Sequence, residues 1–345
     1  MTEAPIRVLV VDDSAFARKV LKQVLSAAPG ISVVETARDG LDALEKIAEL
    51  KPDVVTLDLL MPHLDGLGVL RSLGGAPSPR VVVVSSAGEE SELAVTALQA
   101  GAVELVHKPT ALATDRLYEL GAELVAKVRT AAGAVVRPSE PVQPVVKAEP
   151  RPVNSTGQRL VVVGTSTGGP AALTRLMSSL PADFPAPLAL ALHIPPGYTE
   201  ALAKRLDLNS ALEVVEADNG VELRPGRAVL ARAGMHLRVA RDGDKLVGWL
   251  DRVPLQTAHH PSVDVLFQSA AAVWGSGAVG VVLTGMGDDG LEGARAIRAA
   301  GGHVLTESAE SCVVYGMPRV VVEAGLSNAR APVEEMAALL ERYVR

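Results

Sequence analysis

A serine flanked by glycines is the first feature of this sequence whose setting suggests covalent chemistry. Ser166 lies in Gly164-Thr165-Ser166-Thr167-Gly168, between an apolar run and the dipeptide Gly169-Pro170. The Gly-x-Ser-x-Gly spacing is typical of a nucleophile on a sharp strand-to-helix turn, because glycine relieves crowding there. The free N–H groups at the start of such a helix would favour a developing oxyanion. The spacing alone also fits a glycine-rich phosphate cradle or a plain turn.

A nucleophilic serine needs a base, and the base needs an acid that orients it. Among seven histidines, His193 is the best placed because it ends an apolar run, whereas His259-His260, next to a proline, fits an ordinary loop pair. Another strand pattern, at residues 280–283, leads into a turn that offers Asp288 and Asp289. Lone histidines are more often structural and Asp-Gly pairs usually mark only turns, so the residues alone leave both assignments open.

A second group of chemically suggestive residues lies in the first third of the chain. Each follows an apolar run that is typical of a strand: Asp12-Asp13, Asp58, Ser85 and Lys108. Three carboxylates brought together would repel one another unless a hard cation such as Mg²⁺ lay between them. A hydroxyl and an ammonium beside them could hold the oxygens of a phosphoryl group on Asp58. Singly, each residue could be a helix N-cap or a solvated charge, but together they favour a phosphoryl site.

These residues require sheets whose strand ends meet at one edge. From residue 6 to about 130, apolar runs alternate with helical patterns, which predicts a parallel sheet with right-handed crossovers. The expected strands are residues 6–11, 33–37, 54–57, 81–84 and 103–106. Ligands gather at the carboxyl edge of such doubly wound sheets, which is where the candidate residues fall.

The composition changes between Pro138 and Pro152, where five of fifteen residues are proline and none is aromatic, Leu or Ile. Such a segment cannot bury enough surface to fold, so we expect an extended tether, with an ordered proline-rich docking strip as the alternative. The α/β pattern restarts with a strand at 160–163 and a helix at 170–179, and it continues to a helix at 333–343. We therefore predict two α/β domains, residues 5–130 and 158–345, joined by a linker at 131–157.

The bulk composition argues against several classes of protein. The 345 residues carry a net charge of −7, which disfavours nucleic acid as the main partner. The single cysteine, Cys312, cannot form an intramolecular disulfide, and the N-terminus lacks the pattern of a signal peptide. Residues 265–287 are uncharged and long enough to span a bilayer, but Gly275-Ser276-Gly277 interrupts them. A buried helix and a strand fit better, and we expect a soluble, cytoplasmic protein without membrane insertion.

The first domain resembles a two-component response-regulator receiver. The matching stretches are VVDDS, TLDLLMPHLDG, VVVVSS and VHKP. The resemblance implies a flavodoxin-like fold and phosphorylation of Asp58 by a histidine kinase. It also implies a metal site, in which Mg²⁺ would be held by Asp12, Asp13, Asp58 and the Leu60 carbonyl. Ser85 and Lys108 would respond to the phosphoryl group. Since Leu105 stands where receivers usually have an aromatic residue, we expect the signal to travel through Ser85 and the nearby loop.

Residues 159–345 resemble the catalytic domain of the chemotaxis protein-glutamate methylesterases, here a doubly wound α/β hydrolytic domain. The matching stretches are GTSTGGP, HIPPGYT, PSVDVLFQSAA, VVLTGMGDDG and CVVYGMPR. The resemblance implies that Ser166 is the nucleophile, His193 its base and Asp289 the orienting acid. It also implies that the Met286 N–H donates to the oxyanion and that Thr165 lines the site.

The two resemblances together predict an enzyme that hydrolyses glutamate γ-methyl esters on chemoreceptor helices when its receiver is phosphorylated. Because an amide passes through a similar tetrahedral oxyanion, the same site could deamidate glutamines. The expected partners are a methylated chemoreceptor and a histidine kinase, and the esterase chemistry itself should need no cofactor. Two rivals are a serine hydrolase that acts on a different ester and a binding module that uses the glycine-rich loop without catalysis. His259-His260 and Thr306-Glu307-Ser308 depart from the more basic and more amide-rich stretches expected of the family.

Overall fold

The alternating sequence pattern folds into two units, Met1–Glu140 and Pro141–Arg345. The structure is a computed structural model, and it describes residues 4–74, 79–86, 88, 90–108, 114–136 and 159–345, with the backbone alone at 114–119. The predicted linker from residue 137 onwards lies outside the described residues, whereas residues 131 and 132 belong to the last helix of the first unit.

The first unit is built on a parallel sheet of five strands in the order β2-β1-β3-β4-β5. The strands are β1 (Ile6–Val11), β2 (Ile31–Ala37), β3 (Val54–Leu57), β4 (Arg80–Ser85) and β5 (Glu104–His107). Five helices alternate with them: α1 (Ala15–Ala27), α2 (Gly40–Leu50), α3 (Gly66–Ser72), α4 (Ser91–Gln99) and α5 (Thr114–Ala132). The predicted receiver-like arrangement is confirmed, and the predicted strands agree with the observed ones to within two residues at each end.

Side-chain caps explain where three of these helices begin. Ser14, Asp39 and Asp65 each accept a hydrogen bond from the backbone N–H three residues further on. An N-cap of this kind satisfies one of the free N–H groups of the first turn. Helices α1 and α2 therefore start within a few residues of the ends of β1 and β2, whereas α3 starts after a longer loop that follows β3.

The second unit is built on a seven-stranded parallel sheet and a three-stranded antiparallel sheet. Its strands are β6 (Leu160–Thr165), β7 (Leu188–Leu192), β8 (Glu213–Glu216), β9 (Val221–Glu222), β10 (Arg227–Leu230), β11 (His236–Asp242), β12 (Lys245–Asp251), β13 (Ala278–Val282), β14 (His303–Glu307) and β15 (Ala329–Ala331). Its helices are α6 (Gly169–Ser179), α7 (Thr199–Leu208), α8 (Val263–Trp274), α9 (Leu291–Ala299), α10 (Met317–Glu323) and α11 (Val333–Val344). The large sheet has the order β15-β14-β13-β6-β7-β10-β8, and the small one the order β11-β12-β9.

The core of the second unit lies along the central strands of the large sheet. Every residue of β6, β7 and β13 is buried, as expected for parallel strands with helices on both faces. Helix α8 and strand β13 account for the uncharged stretch 265–287, as the sequence predicted. No helix in the described part of the chain is both long and apolar enough to cross a bilayer.

Candidate active site and phosphoryl-acceptor site

Ser166 lies directly after β6, the middle strand of the large sheet. Its backbone N–H donates to the Thr284 carbonyl at 3.0 Å, and the Thr165 hydroxyl donates to the same oxygen at 2.7 Å. The Gly169 N–H donates to the Ser166 carbonyl at 2.7 Å, which closes the turn into α6. The Ser166 hydroxyl makes no hydrogen bond to any described residue. The serine is thus half-buried on a strand-to-helix turn, with its hydroxyl available for reaction.

The glycines around this turn are required by close packing. Gly168 has a φ of 77°, in the left-handed region, and a Cβ there would lie 2.6 Å from Val313 Cβ. At Gly285, on the neighbouring loop, a Cβ would lie 2.8 Å from Ser166 Cβ and 3.0 Å from Ser166 N. Real Cβ atoms do not approach other atoms this closely, so a side chain at Gly285 would displace the serine, and one at Gly168 would collide with Val313.

His193 follows β7, the strand next to β6, and its backbone N–H donates to the Thr165 carbonyl at 3.2 Å. Its Nε2 lies 2.8 Å from Asp289 Oδ2, whereas its Nδ1 is buried and has no hydrogen-bond partner among the described residues. Since a carboxylate can only accept, Nε2 must carry the ring proton of the neutral imidazole. Nδ1 is therefore the nitrogen that can take a proton.

Asp289 lies against the N-terminus of α8. Its Oδ1 accepts from the Ser262 hydroxyl and the Asp264 N–H, both at 2.9 Å, and its Oδ2 accepts from the Val263 N–H at 2.8 Å. Burial raises the pKa of Asp289, but the hydrogen bond and charge of His193 and the backbone N–H groups outweigh it and lower the pKa to about 2. The side chain is a carboxylate at neutral pH, as an acid that orients a base must be.

The structure brings Asp289, and not Asp288, to the histidine. Asp288 is exposed, and none of the hydrogen bonds or ion pairs among the described residues joins its carboxylate to His193. The sequence alone left these two neighbours open, because the choice depends on how the turn after β13 is folded.

Met286 and Thr165 occupy different parts of the site. Met286 follows Gly285, which packs against Ser166, so the Met286 backbone lies one residue from the serine turn. Its side chain is 54% exposed and reaches the surface. Thr165 is fully buried, and its hydroxyl is committed to the Thr284 carbonyl. Thr165 therefore belongs to the wall that holds Ser166 rather than to the open cleft.

Two residues contribute to the site in ways that no spacing in the sequence indicated. The ring of His259 stacks on the ring of His193, with centroids 3.9 Å apart and planes inclined by 20°. The buried Glu307 accepts the Thr284 N–H at 2.7 Å, and burial raises the pKa of this carboxyl. His259 covers one face of His193, and Glu307 anchors the residue whose carbonyl binds Ser166.

The candidate phosphoryl site lies at the carboxyl edge of the five-stranded sheet. Asp12, Asp13 and Asp58 each place a carboxylate oxygen within 4.8 Å of the others. Lys108 Nζ lies 2.7 Å from both Asp12 Oδ2 and Asp58 Oδ2. Burial raises the pKa of Asp58 to about 6, against the lowering effect of Lys108. Burial lowers the pKa of Lys108, but its bonds to the two carboxylates outweigh this and raise it.

This donor set fits a Mg²⁺ ion, which prefers carboxylate oxygens and accompanies phosphates. Two of the three carboxylates, Asp12 and Asp58, are buried, so a divalent cation would relieve a repulsion that Lys108 only partly offsets. The Leu60 N–H lies 3.4 Å from Asp58 Oδ1, which places Leu60 beside the acceptor. The buried Ser85 at the end of β4 donates its hydroxyl to Glu90 Oε2 at 2.6 Å.

Comparison with known proteins identifies both units. Residues 161–340 match the family model described as CheB methylesterase, and residues 8–119 match that of the response regulator receiver domain. A Myxococcus xanthus protein named protein-glutamate methylesterase/protein-glutamine glutaminase 5 is 73% identical over 99% of each chain. A protein-glutamate methylesterase/protein-glutamine glutaminase of Symbiobacterium thermophilum is 45% identical over 99% of this chain and 98% of its own. The crystal structure of the Thermotoga maritima CheB methylesterase catalytic domain superposes with a TM-score of 0.53 at 39% identity, covering 54% of this chain and 98% of the other.

Proposed function

The chain belongs to the CheB methylesterase family and carries a receiver domain, and we propose that Ser166 is the nucleophile with which it hydrolyses glutamate γ-methyl esters on chemoreceptors. The observation that carries this proposal is the 2.8 Å contact between His193 and Asp289 at the sheet edge where the Ser166 turn lies. A serine at a strand end, a histidine on the adjacent strand and an ionised acid behind it are the parts of an acyl-transfer site.

In the proposed reaction, His193 Nδ1 takes the proton of Ser166 as Oγ attacks the ester carbonyl carbon. The negative charge then moves to the carbonyl oxygen, where the Met286 N–H stabilises it. When this intermediate collapses, the C–O bond to the methoxy group breaks, and the proton on Nδ1 leaves with it as methanol. Water attacks the acyl-serine in the same way, with His193 as base, and releases a glutamate carboxylate and free Ser166.

In this scheme Asp289 does not react. It orients His193 and stabilises the positive charge that His193 gains when it takes the proton. Its contact fixes the proton of neutral His193 on Nε2, so that Nδ1 keeps a lone pair with which to take the Ser166 proton. After proton transfer the imidazolium lies 2.8 Å from a carboxylate whose pKa is about 2, which stabilises the charge. Every catalytic group in this scheme is a side chain or backbone group of the chain, so the scheme as proposed uses no cofactor.

A glutamine side chain could pass through the same intermediate with ammonia as the leaving group. The product would again be a glutamate carboxylate, and Nδ1 would again supply the proton to the leaving group. We therefore propose glutamine deamidation as a second reaction of the Ser166 site, in keeping with the names of the relatives.

The receiver would control this activity through phosphorylation of Asp58 by a histidine kinase. Asp12, Asp13, Asp58 and the Leu60 carbonyl would hold Mg²⁺, which supplies charge neutralisation for phosphoryl transfer. Lys108 lies close enough to Asp58 to pair with a phosphoryl oxygen, at 2.7 Å from the carboxylate. The Ser85 hydroxyl would break its hydrogen bond to Glu90 and would bind the phosphoryl group instead. Methyl-ester removal that rises with phosphorylation is the adaptation step of a chemosensory pathway.

Methanol release from methylated receptor membranes tests the proposal. We expect Ser166→Ala to lose more than about 10,000-fold in rate, because removing the nucleophile of such a unit costs several orders of magnitude. Ser179→Ala is a matched control, since Ser179 lies exposed at the end of α6 and its hydroxyl donates to the Arg175 carbonyl of the same helix. A phosphodonor with Mg²⁺ should raise the wild-type rate and leave the rate of Asp58→Asn unchanged.

Two outcomes would contradict the assignment. Near-normal methanol release from Ser166→Ala would exclude Ser166 as the nucleophile. Activity on a small ester without activity on methylated receptor would favour a hydrolase with another substrate.

A further inference from the structure

A second aspartate binds the loop that carries Asp289. Asp264 lies in the first turn of α8, and its Oδ1 accepts the Gly290 N–H at 2.9 Å and the Gly293 N–H at 2.6 Å. Both donors belong to the start of α9, whose N-cap residue is Gly290 and which has no side-chain cap of its own. Asp264 therefore supplies, from another helix, the acceptor that α9 lacks.

The arrangement is reciprocal. Asp289 accepts the N–H groups of Val263 and Asp264 at the start of α8, while Asp264 accepts those at the start of α9, directly after Asp289. Each aspartate thus binds the backbone next to the other. Because the Gly290 N–H belongs to the peptide that follows Asp289, its bond to Asp264 fixes the backbone from which the Asp289 side chain extends.

No other residue could easily take over this task. Gly290 has a φ of 106°, which side-chain-bearing residues rarely adopt, and at Gly293 a Cβ would collide with Phe267. The start of α9 therefore cannot carry a capping side chain at either position. Without Asp264, two partly buried N–H groups would lose their acceptor, and the turn before them would be free to shift.

We propose that Asp264 is a positioning residue for the ester hydrolysis, which holds Asp289 at hydrogen-bonding distance from His193 Nε2 without touching substrate. This inference rests on the proposed function, because Asp264 acts only through Asp289. A shift of about 1 Å in a catalytic group can cost about 100-fold in rate, so a residue that fixes the Asp289 backbone affects kcat.

The charge of Asp264 is a cost to the fold, so the position of its oxygen, and not its charge, must carry the positioning role. Burial is the main cause that raises the pKa of Asp264 to about 6, and the negative charge of Asp289 raises it further. The hydrogen bonds from Gly290 and Gly293 lower it, but by less. Two carboxylates so close together destabilise one another, whereas an uncharged cap at position 264 would not. Despite this cost, position 264 is an aspartate, and its Oδ1 accepts both the Gly290 and the Gly293 N–H.

Two substitutions separate the position of the acceptor from its charge. Asp264→Asn keeps an oxygen at the same place and removes the charge, so kcat should stay within about threefold of wild type at pH 8. Asp264→Glu keeps the charge and moves the oxygen by about one C–C bond, so kcat should fall about 10- to 100-fold while KM changes less than about twofold. Glu292→Gln, at an exposed position in the first turn of α9, is the matched control.

A double-mutant cycle tests whether Asp264 acts through Asp289. Asp264→Glu should lower kcat in the wild-type background and change it less than about twofold in the Asp289→Asn background. Rates are corrected for the folded fraction, which is measured by urea unfolding of each full-length variant. Equal losses in both backgrounds, or a larger loss in Asp264→Asn than in Asp264→Glu, would overturn the inference. Activity that survives Ser166→Ala would instead overturn the proposed function, so the two failures are distinguishable.

Discussion

Replacing Asp289 by Asn preserves the size of the side chain but gives it a group that donates where the structure requires acceptors. Four donors converge on the two carboxylate oxygens: the Ser262 hydroxyl and Asp264 N–H on Oδ1, and His193 Nε2 and the Val263 N–H on Oδ2. An amide has a single oxygen. Whichever way the Asn side chain turns, two of these donors must face its NH₂ group.

Each orientation of the amide has a separate cost. If the NH₂ group faces His193, the histidine must accept at Nε2, and its proton moves to Nδ1. The nitrogen that should take the Ser166 proton is then already protonated, so the reaction loses its base. If the NH₂ group faces Ser262, the Asp264 N–H loses its acceptor and the first turn of α8 is weakened.

The cost in stability follows from the pKa of Asp289. Its lowering from 3.8 to about 2 corresponds to about 2 kcal/mol of stability at neutral pH. Because the folded-state pKa is depressed, this stability is fully present above the unfolded value of 3.8 and is lost as the pH falls through about 2. We therefore expect Asp289→Asn to lower the free energy of unfolding by about 2 kcal/mol at pH 7, with a difference that narrows below pH 4.

The cost in activity should be larger, about 1,000- to 10,000-fold in kcat, because the histidine tautomer is wrong in one orientation and its charge is unsupported in both. It should still be smaller than the loss in Ser166→Ala, since Asp289 does not react. The loss in kcat is measured by methanol release, with each rate corrected for the folded fraction from urea unfolding. Asp288→Asn, which changes the exposed neighbour, is the control. Wild-type activity in Asp289→Asn together with a loss in Asp288→Asn would refute this reasoning.

Two further substitutions test other parts of the molecule. Gly285→Ala would place a Cβ 2.8 Å from Ser166 Cβ, so we expect the free energy of unfolding to fall by about 1–3 kcal/mol and methanol release to drop at least tenfold. Wild-type values in both assays would show that the loop can move away from the serine. Asp58→Asn should stabilise the chain in Mg²⁺-free buffer, and the gain should be larger at pH 8 than at pH 5. The pKa of Asp58 is raised to about 6 in the folded chain, so folding becomes less favourable as the pH rises from 3.8 through about 6 and the carboxyl ionises. Asparagine stays uncharged and avoids this loss. Thermal unfolding at the two pH values measures this, and a benefit that does not grow with pH would contradict it.

The clustering of the candidate phosphoryl-site residues could be predicted because parallel strands place their carboxyl ends at one edge. Apolar runs buried on both faces mark the strands even when their order in the sheet is unknown. Any residue that follows such a run is then a candidate for the same edge, and Asp12, Asp58 and Lys108 meet there at 2.7 Å. The same reasoning placed Ser166 and His193 at strand ends, and the structure shows that their strands, β6 and β7, are neighbours.

The contacts behind the site could not be predicted, because they depend on segments without a strong pattern. The antiparallel sheet of β9, β11 and β12 and the loop after it carry His259 to the face of His193, and no periodicity in the sequence indicates this contact. The choice of Asp289 over Asp288 is also a matter of tertiary structure, since the two are adjacent and of the same type. Two glycines with positive φ values, Gly287 and Gly290, flank the pair, so the turn has a backbone conformation that the strand and helix patterns do not predict.

The position of Asp289 links the start of a helix to the chemistry. The carboxylate that orients His193 also accepts two N–H groups of α8, and the positive end of that helix helps to keep it ionised. A carboxylate satisfied only by His193 could rotate away when the histidine becomes charged and neutral again during each cycle. Held by Ser262, Val263 and Asp264 as well, it has no competing orientation. We therefore expect the same bonds that begin α8 to keep His193 aligned through both halves of the proposed reaction.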